Sequence, residues 1–235
     1  MSASDQVPAN HTTENQAPPQ TPGIKMLITL GGISMLAGLL VVMVVQYTAP
    51  FIAENQRIAI ENAIIRVIPG ATSRKDFLLD SEGLKAGDQD DATGERIYAA
   101  YDDNGKLKGI ALKAEATGYQ DVIRILYGYD PACECVTGIR VLKMAETPGL
   151  GDKIAFDPEF LDNFDALEAK LNATGDALEN AIHAVKHSNK TRPWQIDAIS
   201  GATISSAAIG RMINESGQRM FPLIQKHLAE LQGGQ

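Results

Sequence analysis

Apolar and polar positions divide this chain into unlike stretches. Residues 1–23 hold Ser, Asn, Gln, Thr and Pro with almost nothing apolar. Such a segment cannot offset its ordering entropy by burial, which predicts a disordered tail. From Met26 to Ala53 no charged residue occurs, and Leu27 to Val45 alone approaches the roughly 20 apolar residues a bilayer helix needs. A single transmembrane helix is predicted over residues 24–47. The alternative is a cleaved signal peptide, but its apolar region usually covers about 7–15 residues and lies nearer the start of a chain. Gly31, Ser34 and Gly38 recur on one face of the span, where a second helix could approach closely.

Residues 48–95 read as a membrane-proximal helix and loop. After Pro50, the residues Ile58, Ile60, Ala63, Ile64, Val67 and Ile68 fall on one helical stripe that stops at Pro69-Gly70. The segment from Thr72 to Glu95, with Asp88, Asp90 and Asp91, reads as loop, its acidic run as a solvated face. Residues 96–235 form the main domain. Arg96 to Tyr101 and Lys106 to Glu115 predict a hairpin, because the intervening Asn104-Gly105 supplies the positive φ a tight turn requires. Further strands are expected at Val122 to Tyr127 and Val136 to Ala145. Phe160, Phe164, Leu167 and Leu171 then recur at helical spacing from Pro158, a residue suited to the first helical turn. A closing helix runs from about Thr203, with Pro222 expected to bend or divide it before Leu228 and Leu231. Strands grouped before helices, with no internal repeat, predict an α+β domain: an antiparallel sheet with packed helices behind a single N-terminal membrane helix.

Composition narrows the function. The 235 residues are 44% apolar and 21% charged, with a formal net charge of -8; a chain this acidic lacks the basic footprint of a nucleic-acid binder. Charge says less about topology. Lys25 alone precedes the span, whereas Arg57, Arg66, Arg74 and Lys75 follow it. Positive-inside counting thus leans towards a cytoplasmic main domain, yet long domains translocate largely regardless of charge.

Two motifs carry candidate chemistry. Asp197 to Ser206 reads DAISGATISS, a Ser200-Gly201-Ala202-Thr203 tetrapeptide at the start of the closing helix. Unpaired N–H groups and the positive end of the dipole favour a phosphate there. Gly201 lets backbone come close, and Ser205 and Ser206 can add hydroxyl donors. An ordinary helix cap by Ser200 or Thr203 explains the same window. The second motif, Glu146 to Lys153, reads ETPGLGDK. Pro148-Gly149 implies a tight turn and Gly151 a second permissive position. Such a turn can set amides and Leu150 against a planar ring, or act as a plain hinge.

Taken together, these motifs resemble the flavin mononucleotide (FMN)-binding G subunit of Rnf-type (Rsx) ion-translocating electron-transport complexes, whose sister is the C subunit of the sodium-translocating NADH:quinone reductase. The resemblance runs through Gly118-Tyr119, Ile123, Gly128-Tyr129-Asp130, Gly138 to Val141, Glu146 to Ile154 and Asp197 to Ser206. It implies an extracytoplasmic FMN-binding domain on a single-pass anchor in the cytoplasmic (inner) membrane. Thr203 would be esterified to the FMN phosphate. Asp197, Ser200, Gly201, Ala202 and Thr203 would be recognised by a transferase that takes FMN from FAD, and Glu146, Thr147, Gly149, Leu150 and Gly151 would form the turn beside the isoalloxazine. The implied role is an electron relay between ferredoxin and NAD, coupled to ion movement. The partners implied are the other membrane subunits, the transferase and membrane lipid. No catalytic acid, base or metal is demanded. The stretch from Gly118 resembles the Rnf-type family, where the sister family shows a Gly-Leu-Trp segment. An anchored scaffold or sensor is a further alternative; a hydrolase lacks the G-x-S-x-G elbow.

Cys133 and Cys135 are the only cysteines. A disulfide so closely spaced needs unusual geometry, so two free or loosely redox-active thiols are expected, and two thiolates cannot complete a zinc site. Trp194 is expected to pack half-buried. His183 and His187, four apart without an accompanying zincin Glu, read as surface or core residues. Lys186 and Lys190 are candidates to offset phosphate or reduced-flavin charge.

Overall fold

The computed structural model describes residues 23–81, 83–87 and 94–233. The expected tail and the acidic run of Asp88, Asp90 and Asp91 lie outside the described residues. The chain divides into two compact units, residues 1–53 and 54–235.

Helix α1 spans Gly23–Val67 and contains Pro50. A proline inside a helix removes one N–H from the ladder without ending it when the flanking sequence is uniformly helix-compatible. In the first unit its large apolar side chains are exposed, from Ile24 through Ile52, and this is the one helix among the described residues long and apolar enough to cross a membrane.

The second unit is built on a seven-stranded antiparallel sheet. Its strands are β1 (Ser73–Asp80), β2 (Gly83–Ala86), β3 (Glu95–Tyr101), β4 (Leu107–Thr117), β5 (Val122–Asp130), β6 (Cys135–Lys143) and β7 (Leu167–Glu168), in the spatial order β2-β1-β3-β4-β5-β6-β7. The expected hairpin and the two strands after it are present. The hairpin turn is longer than a two-residue turn: Gly105 donates to the Asp102 carbonyl at 2.9 Å, and the Asp102 carboxylate accepts from the amides of Asn104 and Lys106. Only Gly105, at φ +74°, uses the left-handed region.

Strand alternation sorts the sheet into two faces. One carries Tyr98, Ala100, Ala111 and Leu126 against Ala63, Ile64 and Val67 of α1. The other carries Ile97, Leu112, Ile125 and Tyr127 against helix α3 (Thr203–Lys226). Tyr129 stacks on Phe221 at 3.8 Å between ring centroids, and the Tyr127 hydroxyl donates to Ser216 at 2.8 Å.

Three expectations are corrected. Thr72 to Glu95 contains β1 and β2; the charged half of β1 hid the strand, because Arg74 lies over the Tyr98 ring and pairs with Asp76. The apolar series from Phe160 is not one helix. A single turn, α2 (Pro158–Leu161), gives way to a 3₁₀ turn, and Leu167 pairs with Val136. The Asn163 amide donates to the Glu159 and Phe160 carbonyls, taking acceptors that further helix would use. Pro158 does occupy the first turn. Finally, α3 runs through Pro222 to Lys226, and the break before α4 (Leu228–Gly233) falls at His227.

The cysteines also differ from expectation: Cys133 and Cys135 form a disulfide. Cys133 lies in the β5–β6 turn and Cys135 opens β6; between them Glu134 adopts φ +51°, and this fold-back brings their Cα atoms to 5.2 Å, inside the range a disulfide spans. Protein denatured without reductant is expected to take up no maleimide, and two after reduction, as read by intact mass. Labelling before reduction would contradict the bond.

Gly128 joins the sheet to α1. A Cβ there would collide with the Val67 carbonyl and lie 2.6 Å from Thr137 Oγ1, whose hydroxyl donates to that carbonyl at 2.6 Å. Because the obstacle is backbone, Gly128→Ala is expected to cost about 3 kcal/mol. The melting temperature of the detergent-solubilised chain should fall by roughly 6–12 °C; an unchanged melt would show that α1 does not bear on β5.

Candidate functional site

The two motifs meet in one groove of about 380 Å³, lined by Glu146, Thr147, Leu150 and Gly151 from one loop and by Gly201, Ala202, Thr203, Ile204 and Ser205 from the start of α3, with Tyr119 at the edge. Each motif is a turn that ends at the groove. Leu150 donates its amide to the Thr147 carbonyl at 3.2 Å, with Gly149 at φ +77°. Ala202 donates to the Ile199 carbonyl at 3.0 Å, with Gly201 at φ +84°. A positive φ at the third position is the type II signature, and Pro148 pre-sets the second. The turns touch: a Cβ on Gly201 would sit 3.4 Å from a Leu150 methyl.

Neither Ser200 nor Thr203 caps α3. The capping position is Ala202, with no side-chain hydrogen bond to the helix. Thr203 is the first helical residue and is exposed. The first intrahelical acceptor is the Ala202 carbonyl, taken by the Ser206 amide at 2.9 Å, so the N–H groups of Thr203, Ile204 and Ser205 have no acceptor within the helix. A helix start left without a side-chain cap, beside an exposed hydroxyl, favours an anion.

Glu146 organises the groove from beneath. It is buried, and its carboxylate accepts from Ser205 Oγ at 2.6 Å, Gln120 N at 3.1 Å and Tyr119 N at 3.3 Å. Burial pushes its carboxyl up, but the bonds from Ser205 and from the amides of Gln120, Tyr119 and Asp121 outweigh burial and hold it below the ordinary value. Two glycines make room for it. A Cβ on Gly118 would lie 2.5 Å from Glu146 Oε1, and one on Gly151 would lie 2.6 Å from Oε2. One carboxylate thereby ties the β4–β5 turn, its own loop and the first turn of α3.

The remaining candidates are placed as follows. The Ser205 hydroxyl is committed to Glu146, and the Ser206 hydroxyl donates to the Ala202 carbonyl and accepts from the Ile199 amide. Ser200 and Gly149 are exposed and do not line the groove, and Asp197 stands behind it. Asp197 Oδ2 accepts from the Ser188 amide at 3.0 Å, while its Oδ1 is buried without a hydrogen bond among the described residues. Lys190 is turned to Asn163 at 3.0 Å, its ammonium pushed below the ordinary value by burial. Trp194 is half-buried under Arg192, and His183 and His187 are exposed. Among the described residues no group of His, Cys, Asp and Glu could hold a metal.

Residues 118–217 match the family model described as FMN-binding domain. Over that stretch the chain is similar to the FMN-binding domain family. The match opens at the Gly118 turn over Glu146 and closes within α3, so both motifs fall inside it. The chain is 28% identical over 190 residues to the G subunit of the ion-translocating oxidoreductase complex of Methanosarcina acetivorans, covering 79% of this chain and 87% of that one. It is 34% identical over 116 residues to the G subunit of the Na(+)-translocating ferredoxin:NAD(+) oxidoreductase complex of Acetobacterium woodii, where it spans about half of either chain (49% and 50%). Among solved structures, the C subunit of the Na(+)-translocating NADH-quinone reductase from Parabacteroides distasonis aligns with a TM-score of 0.53 at 19% identity, over 76% of this chain and 94% of that one. That likeness establishes the fold.

The residues present fit FMN. A phosphate at this groove would meet the uncapped helix amides and the Thr203 hydroxyl. A planar ring would meet an apolar rim of Tyr119, Leu150 and Ile204, which are 67%, 49% and 52% exposed although large and hydrophobic. A groove of this size is at the lower end of the range for small-molecule sites. Sequence reasoning missed two contributors. Ile204 reads as a core position of an amphipathic helix, yet lines the groove. Asn163 accepts from the Asp197 amide at 2.9 Å and donates to its carbonyl at 3.4 Å, fixing the short strand Gln195–Asp197 that leads into the motif. A lone Asn in an apolar stretch gives no signal of that task.

Proposed function

We propose that Thr203 carries FMN through a phosphoester and that the chain is the flavin-bearing electron-relay subunit of a membrane complex that couples electron transfer between ferredoxin and NAD to ion movement. The observation that carries this reading is the uncapped start of α3, with an exposed Thr203 in the groove that the Glu146 loop completes. The match of residues 118–217 to the FMN-binding domain model and the names of the relatives support the cofactor and the setting. When bound, FMN supplies one- or two-electron redox chemistry; the chain's residues hold and orient it. The uncapped amides donate to the phosphate, the Tyr119, Leu150 and Ile204 rim covers the ring, and Glu146 keeps the two turns in register. Asp197 and Ser200 to Thr203 form the edge that a FAD-dependent transferase would read.

The apolar part of α1, over residues 24–47, anchors the chain in the cytoplasmic membrane, with residues 96–235 as the flavin-binding domain on the extracytoplasmic side. The Cys133–Cys135 disulfide supports this side, because such bonds persist in oxidising compartments. It weighs against the count of basic residues flanking the span. Two measurements test the reading. The full chain, made alongside its transferase, is expected to fluoresce under ultraviolet light after denaturing electrophoresis and to carry the mass of one FMN less one water. Protease added to spheroplasts is expected to digest the domain from outside. A dark band of unmodified mass, from cells shown to flavinylate another target, would sink the covalent reading.

A further inference from the structure

The Cys133–Cys135 disulfide closes the turn between β5 and β6, so the length of β5 separates it from the β4–β5 turn at the flavin groove. A staple accounts poorly for it. Stabilisation by a disulfide grows with the loop it closes, and these cysteines are two residues apart.

Other bonds already hold the turn. The Glu134 carbonyl accepts from the Ala169 amide at 2.9 Å, and its carboxylate accepts from the Leu171 amide at 3.4 Å. The Asp130 carboxylate accepts from the Ala132 amide at 2.8 Å. Cys135 pairs across the sheet with Asp130 on one side and Glu168 on the other. Together these contacts keep Glu134 at φ +51°, a conformation uncommon for a residue with a Cβ. The two cysteines therefore stay within bonding reach whether or not the sulfurs are joined.

The sulfurs differ in access. Cys133 is exposed, whereas Cys135 is buried. Exposed disulfides are the ones that exchange with external thiols, and an incoming thiolate reaches Cys133 first, leaving Cys135 as the sulfur released. Charge then selects the attacker. Asp130 and Glu134 flank the bond without an ion pair among the described residues, and the nearby Lys170 is taken by Glu168 at 2.7 Å. Two carboxylates repel a small anionic thiol; a protein dithiol in neutral surroundings meets no such barrier.

We propose that Cys133–Cys135 is a thiol–disulfide exchange site, reduced by a protein dithiol of the Cys-x-x-Cys class with Cys133 as the sulfur attacked. The partner's thiolate bonds to Cys133 Sγ and expels Cys135 as a thiolate, which takes up a proton. The partner's second thiolate then attacks its own bonded sulfur and expels Cys133, which is protonated in turn. Two electrons and two protons pass to the chain, and the partner leaves as its disulfide. The step requires neither the flavin nor the membrane anchor.

The test uses the full chain, folded in nonionic detergent, with thioredoxin, glutathione or mercaptoethanol as reductant. Free thiols are counted by maleimide mass after acid quenching. Thioredoxin is expected to open the bond in the folded chain on the order of tenfold faster than glutathione at equal thiol concentration, and an excess of oxidised thioredoxin to close it again. A thioredoxin whose second active-site cysteine is replaced by serine is expected to stay linked, with the linkage mapped to Cys133. The paired substitutions Asp130→Asn and Glu134→Gln keep both acceptor oxygens; they are expected to speed glutathione several-fold and to leave the neutral mercaptoethanol unchanged. A bond that opens only in denaturant, or that cannot be closed again, is a structural staple and overturns the proposal. So does an adduct at Cys135, or none, or a chain isolated in air with both thiols free. Equal rates with glutathione and thioredoxin, or charge substitutions that alter neither small thiol or both alike, overturn the choice of partner.

Discussion

Thr203→Ala is expected to lose all in-gel flavin fluorescence and the FMN mass increment while melting as wild type does. The first half follows from chemistry: alanine has no hydroxyl to esterify, and the neighbouring Ser205 and Ser206 hydroxyls are buried and already bonded to Glu146 and to the Ala202 and Ile199 backbone. The second half follows from position. Thr203 is exposed and its side chain does not cap α3, so its truncation should lie within about 0.5 kcal/mol, as for surface substitutions. A capping role predicts otherwise, a loss of about 1 kcal/mol. Measured on protein made with the transferase and, for the melt, without it, the two outcomes separate anchor from cap. A fluorescent Thr203→Ala band would move the attachment elsewhere.

Glu146→Ala should have the opposite profile. Removing the carboxylate leaves the Ser205 hydroxyl and the amides of Tyr119 and Gln120 buried or half-buried without their acceptor. Each abandoned donor costs of order 1–3 kcal/mol, discounted where water can reach. A total near 3 kcal/mol, or roughly 6–12 °C in melting temperature, is expected, with weaker FMN incorporation because the two turns lose their common tie.

The same group gives a pH signature. Its carboxyl is held below the unfolded value of 4.5, so it contributes stability that is complete above that value and is lost as pH falls through the folded one. The stability difference between wild type and Glu146→Gln should therefore be widest near neutrality and narrow below pH 4.5. A difference that stays constant across that range would mean that Glu146 is not held ionised by its donors.

The chain's local signals and its contacts contributed differently to this picture. Pro148-Gly149 announces a tight turn by itself, since proline sets one dihedral and glycine permits the next, and the turn is there. The β3–β4 hairpin, β5 and β6 are equally legible, because alternation over seven or more residues has no helical reading. β1 was not, because its exposed half is charged. Phe160, Phe164 and Leu167 have helical spacing and share a core without sharing a helix; spacing reports which residues are buried together, not the path between them. The cysteines misled in a similar way. Two residues apart on a strand they could not bond, but a residue in the left-handed region turns the chain between them.

The amino-acid order holds the local instructions: an uncharged run long enough for a bilayer, an α+β order of elements, two glycine-bearing turns, and a threonine at a helix start. These depend on near neighbours, so sequence spacing contains them. Long-range packing brings the two turns to one groove, turns Ser205 to Glu146 and leaves the helix start at Thr203 without a side-chain cap. Those outcomes depend on groups tens of residues apart, Glu146 with Ser205 and with Gly118, whose meeting is set by sheet register and by how closely a glycine lets a carboxylate approach.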